Sequence, residues 1–216
     1  MLSLLIVAAV IVASLALAPT GDQAWLLIVA TPIALLLAWW RGGLHTVGFA
    51  RPERGLLRTF GLAAVLGTLI QLVAITCFDP FVEWLTGEAI DLSDFVLLEG
   101  NLPALMITLV IIWTLVAFGE EIVFRGILIT ELDRVLGTSR GARAVNVLLG
   151  SAVFGAAHLY QGVAGVVTTG VAGLLLAWIF LREERNLWLP ILVHGWIDTA
   201  GLILVYLGLY DDLSPW

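Results

Sequence analysis

The sequence predicts an all-α, polytopic membrane protein, a bundle of about seven transmembrane helices with a polar site between helices four, five and seven. Three observations carry that prediction. Of 216 residues, 61% are hydrophobic and only 12% charged, against about a quarter charged in a soluble domain. Mean hydropathy is +1.05, and uncharged runs recur that approach the roughly 20 apolar residues of a bilayer span. The arginines fall in alternate connections between those runs. Residues 1–216 therefore read as a single transmembrane domain in contact with the lipid bilayer. No basic patch with interleaved aromatics points to nucleic acid. Cys77 is the only cysteine, which excludes an intrachain disulfide and argues against a thiolate metal cluster.

The expected spans lie near 1–18, 24–40, 59–78, 102–122, 144–161, 163–181 and 187–208. The first resembles a signal-peptide core but lacks a basic leader and a cleavage site, so it reads as a retained helix. Pro32 is expected to kink the second, where neighbouring helices cover the freed carbonyl. Trp39, Trp40 and Arg41 fit an interfacial anchor at its end. "FARPERG" (49–55) is a punctuated connection, and "GEAIDLSDFVLLEGNLP" (87–103) mixes acids with apolar residues in the manner of a surface-lying segment. The fourth helix is expected to run on through "ILITELDRVL" to Gly137, with Glu131 and Asp133 solvated or interfacial. "GVAGVVTTGVAG" (162–173) opens the sixth with small residues that let another helix approach closely.

The connections also predict orientation. Arg41, Arg51, Arg54 and Arg58 lie between spans two and three, Arg134, Arg140 and Arg143 between four and five, and Arg182 and Arg185 between six and seven. Asp22, then Asp79, Glu83, Glu88, Asp91, Asp94 and Glu99, occupy the alternate connections, and Asp211 and Asp212 the tail. The excess of positive charge on cytoplasmic loops places the N-terminus in the cytoplasm and the C-terminus outside, in a multi-pass protein of the cell membrane. Arg125 alone stands apart from that scheme, inside "TLVAFGEEIVFRG" (114–126).

A charge in hydrocarbon needs a partner, a polar cavity or a task. Glu121 and Arg125 are four apart and can meet on one helical face. Glu120 is turned about 100° from Glu121 and is left without an obvious structural partner. "FGAAHLY" supplies His158 with Phe154 one turn earlier, and "LVHGWIDT" supplies His194 with Asp198 one turn later. Asp198 is placed to fix the tautomer of His194. Measured from the nearest arginine at 1.5 Å per residue, Glu120 and His158 lie at similar depths, about 21 and 22 Å. His194 lies about 14 Å in, with Asp198 closing the gap. His45, in a connection, reads as solvated.

"EEIVFR", "FGAAH" and "HGWID", in that order between about residues 118 and 198, resemble three motifs of the prenyl-protein-processing and bacteriocin-processing intramembrane proteases, the type II CAAX endopeptidase and Abi group. The resemblance implies peptide-bond hydrolysis in a membrane cavity, with a membrane-associated peptide or protein as substrate. It makes Glu120 the residue that activates water, assisted by His158, and His194 the donor to the developing oxyanion. Glu121, Arg125 and Phe154 are implied as supporting residues. This chain departs from the best-understood prenyl-processing relatives at Asp198, where they carry asparagine. An amide can donate a hydrogen bond and an ionised carboxylate can only accept one. Asp198 must then be protonated, orient His194 or bind metal. The four polar residues could form an oxygen- and nitrogen-rich shell for zinc or another divalent metal, but HExxH is absent and no metal is assigned. Two alternatives use the same charges otherwise: a transporter or channel with a polar path, and a noncatalytic scaffold or immunity protein.

Overall fold

In the computed structural model, which describes residues 1–20 and 23–213, all regular structure is helical. Asp22 lies outside the described residues, as do the side chains of Asp211 and Asp212. The helices are α1 (Leu2–Leu17), α2 (Gln23–Trp40), α3 (Leu56–Thr86), α4 (Leu102–Leu136), α5 (Arg140–Ala156), α6 (Gly162–Arg182), α7 (Trp188–Tyr206) and the short α8 (Tyr210–Leu213).

Among the described residues four helical segments, not about seven, are long and apolar enough to cross a membrane: Leu56–Thr86, Leu102–Leu136, Leu159–Arg182 and Trp188–Tyr206. The expected count fails for physical reasons. Helix α1 has 16 residues, about 24 Å at 1.5 Å per residue, short of the roughly 30 Å hydrocarbon core. Helix α5 opens with Arg140 and Arg143 and buries Asn146. The expected fifth span, 144–161, also crosses a helix end, because α5 stops at Ala156 and the chain turns through Leu159–Gln161.

Other boundaries differ in an informative way. Helix α3 continues past the expected 78 to Thr86, so Asp79 and Glu83 are helical rather than part of a loop. A π-helical turn, Ala74–Phe78, interrupts it. Helix α4 runs to Leu136, as the sequence predicts, and ends at Gly137 with φ +90°. It contains two π-helical stretches, Ile112–Val116 and Glu121–Ile129, the second starting immediately after Glu120. Pro32 sits inside α2, and Trp39 and Trp40 at its end are exposed.

Side chains facing outward on α3, α4 and α6, such as Val65, Ile107, Val110 and Trp178, are apolar and exposed, as expected of a lipid-facing surface. Inside, Ala34, Ala38, Val47, Ile122, Ile127, Phe180, Leu187 and Ile191 form one buried cluster. Leu27, Val123, Phe124, Leu128 and Phe154 form a second beside it. Small residues bring α5 and α6 together: a Cβ on Gly155 would lie 2.5 Å from the carbonyl of Val166 and 2.8 Å from Cα of Gly170. That close approach is what the glycines of 162–173 predict.

The connections gather at two ends. At one, Arg41 and Arg134 pair with Glu131, Arg185 pairs with Asp133, and Arg54 pairs with Glu183. Asn146 donates to Asp133, and Leu187 N–H donates to the carbonyl of Gly48. Glu131 and Asp133 are thus buried and ion-paired, not solvated, because cations from two connections and from α4 itself converge on them. At the other end, Asp91 N–H donates to Gln161 O, Val163 N–H to Glu88, and Gly100 N–H to Tyr206 O.

Candidate active site

The site grows from α4. Val116, Glu120 and the residues after them turn inward, and every residue from Ala117 to Ile129 except Phe118 is buried. Arg125 is among the largest fully buried side chains. Its Nη1 donates to Glu121 Oε1 at 2.7 Å and its Nη2 to the carbonyl of Gly173 on α6 at 3.1 Å. The guanidinium also lies 4.4 Å from the ring centroid of Phe154 on α5. One cation thereby ties three helices together and neutralises Glu121. The i, i+4 spacing in the sequence indicates the pair; the Gly173 carbonyl and the Phe154 ring have no signal there.

Helix α7 brings His194 against both glutamates. Its Nδ1 lies 2.9 Å from Glu121 Oε1, and its Nε2 lies 3.7 Å from Glu120 Oε2 and 3.5 Å from Asp198 Oδ2. The two adjacent carboxylates approach opposite nitrogens of one ring, which reconciles the 100° between them with a shared site. A ring nitrogen facing a carboxylate at 2.9 Å carries its proton, so Nδ1–H donates to Glu121. The sequence assigns the orienting role to Asp198. In the structure Glu121 holds Nδ1, and Asp198 faces the opposite nitrogen.

His158 stands just beyond the end of α5. Its Nδ1 is 2.9 Å from the carbonyl of Phe154, an arrangement that requires Nδ1–H to donate and leaves Nε2 as an acceptor. The Phe154 ring lies tilted 4.9 Å from the His158 ring and edge-to-face 6.1 Å from the His194 ring, and packs edge-on against Phe124 at 5.1 Å. It seats both histidines and the guanidinium at once.

A cavity of about 230 Å³ is lined by Glu120, Phe154, His158, His194 and Asp198 together. Glu121 and Arg125 lie behind it. Glu120 is 4% exposed, and its Oε2 has no hydrogen-bond partner among the described residues. An unpartnered buried carboxylate oxygen facing a cavity is suited to a water molecule or a reacting group. The cavity wall also includes Gln71, Asp79, Tyr160 and Thr169, which the sequence reading did not select. Gln71 could have been found as a lone amide in an apolar run; Asp79 was hidden by its assignment to a loop. His45 is exposed and remote, as expected.

The donor set does not fit a metal centre. Among the described residues, no three His, Cys, Asp or Glu side chains are grouped to hold an ion.

Residues 102–200 match the family model described as Rce1-like, type II CAAX prenyl endopeptidase. A CAAX-protease/Abi-type domain thus occupies that part of the chain, the part that holds Glu120, His158, His194 and Asp198. No curated protein and no solved structure matches the chain.

Proposed function

Starting from the CAAX-type protease domain in residues 102–200, we propose that this multi-pass membrane protein hydrolyses a peptide bond in a membrane-associated substrate, with Glu120 as general base. One observation carries the reading: a buried glutamate oxygen with no hydrogen-bond partner among the described residues shares a cavity with two histidines, each held at Nδ1 by a protein acceptor.

Water held between Glu120 and the acceptor Nε2 of His158 loses a proton to Glu120 as its oxygen bonds to the carbonyl carbon. The carbonyl oxygen gains negative charge and takes a hydrogen bond from His194 Nε2–H. With Nδ1–H already donated to Glu121, that role requires the imidazolium form of His194, whose Nε2 faces Glu120 and Asp198. Glu120 then returns the proton to the departing nitrogen as the C–N bond breaks, yielding a carboxylic acid, which keeps the water's second proton, and an amine. Arg125 acts through Glu121, holding its carboxyl group in place through the 2.7 Å contact. Asp198, whose side chain is 24% exposed, steadies the charged His194 from the cavity side. No metal enters these steps.

The protein sits with the arginine-bearing end in the cytoplasm. Supporting this, Arg41, Arg54, Arg134 and Arg185 collect at one end of the bundle and the Glu88–Gly100 connection at the other.

Glu120→Gln tests the function. It keeps size and removes the basic carboxylate, so with purified protein and an identified membrane peptide it retains fold and binding and loses roughly 100-fold or more of turnover. Full turnover in that variant excludes Glu120 as base. Metal analysis with chelation, the fold being monitored, separates this route from zinc hydrolysis. Glu120-independent solute flux in vesicles would instead identify a transporter.

A further inference from the structure

The cavity has a direction. On α4 its wall runs back from Glu120 through Val116 to Ile112, and on α7 it runs forward from His194 through Asp198, Gly201 and Leu202 to Val205. On α3 it includes Ile70, Gln71, Ala74 and Asp79, and on α6 Leu176, Ala172, Thr169 and Thr168. Read with the helix directions, every wall starts at the level of Glu120 and extends only toward the acidic connection. Val205 is about 16 Å beyond His194 at 1.5 Å per residue. There the wall is completed by Ile90, Leu92 and Phe95 of that connection, and by Gln161 and Tyr210.

The opposite route is closed. No residue of the connections 41–55, 137–139 or 183–187 lines the cavity. Beneath Glu120 come the Glu121–Arg125 pair and then the buried Val47, Ile127, Phe180, Leu187 and Ile191. Beyond these, Glu131 and Asp133 are pinned by Arg41, Arg134 and Arg185. An apolar plug backed by a buried ionic cluster admits neither water nor an extended peptide without breaking several charged contacts.

We infer that Glu120 is reached only from the acidic, extracytoplasmic end, so that the substrate is an exported peptide segment presented at the outer face of the membrane rather than a cytoplasmic tail. This rests on the proposed protease function and orientation, but its geometry is independent of turnover. A membrane-bound remnant of a secreted protein has the required chemistry: an apolar chain held in the bilayer with its scissile bond delivered from outside.

Accessibility of introduced thiols tests it. With Cys77 replaced by serine, Thr169→Cys and Val205→Cys place thiols inside the cavity, and Glu53→Cys marks the arginine-bearing end. Each full-length variant is exposed to a membrane-impermeant, positively charged thiol reagent in right-side-out and inside-out vesicles, its fold checked by monodisperse purification. The cavity thiols should react at least ten-fold faster in right-side-out vesicles, and Glu53→Cys at least ten-fold faster in inside-out ones. Cavity thiols reacting from the same face as Glu53→Cys overturn the inference, because the site then opens at the arginine-bearing end. Opposite faces with Glu53→Cys outside also overturn it, because the site then faces the cytoplasm. Reaction at neither cavity thiol, with Glu53→Cys reactive, overturns it by showing a closed cavity. Since labelling needs no hydrolysis, each result stands whether or not Glu120→Gln loses turnover.

Discussion

Arg125→Leu removes the cation from the most enclosed part of the bundle, and the structure gives the size of the effect. The guanidinium, 1% exposed, loses its 2.7 Å bond to Glu121, its 3.1 Å bond to the Gly173 carbonyl and its stacking on Phe154. Deleting one partner of a buried ion pair costs about 3–5 kcal/mol, and a desolvated cation–π contact is worth about 2 kcal/mol. One group makes all three contacts, so these magnitudes overlap, and the expected destabilisation is about 3–5 kcal/mol. At roughly 1.4 kcal/mol per power of ten, that lowers the folding equilibrium by two to nearly four powers of ten. Glu121→Leu alone leaves Arg125 without its counter-charge and His194 Nδ1 without its acceptor. The double variant removes both charges and should recover up to about 3 kcal/mol relative to the sum of the single losses. Reversible unfolding of all four proteins in mixed micelles measures the cycle. Peptide hydrolysis adds a second readout: the double variant regains stability while remaining inactive, because His194 is still unanchored. Losses that add within about 0.5 kcal/mol would falsify the direct pair.

Three further outcomes follow from particular contacts. Asp198→Asn should keep hydrolysis within about ten-fold of the parent, because an amide at 3.5 Å from His194 Nε2 can still accept and can also donate toward the oxyanion; a loss beyond about 100-fold in kcat would mean that the charge itself is needed. Gly195→Ala would set a Cβ 2.6 Å from the Trp113 ring, so it should destabilise the protein by about 1–3 kcal/mol through overpacking, visible as a lower unfolding midpoint; an unchanged midpoint contradicts that packing. Glu131→Leu leaves Arg41 and Arg134 without their shared, fully buried acceptor, and folded yield should fall while any protein that does fold retains its KM. A changed KM with normal yield would place Glu131 in substrate binding instead.

What the sequence determined by itself was whatever depends on local spacing and composition. Long uncharged apolar runs are helical in lipid, where a helix satisfies its backbone groups within one segment. The four-residue spacing put Glu121 beside Arg125, and the run "ILITELDRVL" carried α4 to Gly137. The order of the three polar motifs was enough to indicate a protease, and the tertiary structure gathers Glu120, His158, His194 and Asp198 around one cavity. The number of membrane-crossing helices was not determined locally, because hydropathy runs straight through the helix end at Ala156 and takes no account of the short α1. Nor could spacing within α7 reveal that His194 Nδ1 belongs to Glu121 on α4 rather than to Asp198 one turn away. The burial of Glu131 and Asp133 was equally invisible, since their partners are arginines from other connections and from the same helix, brought within reach by packing. The direction in which the cavity runs is decided by packing as well: it depends on which end of the bundle is filled by side chains, and that is a property of several helices meeting, not of any one of them.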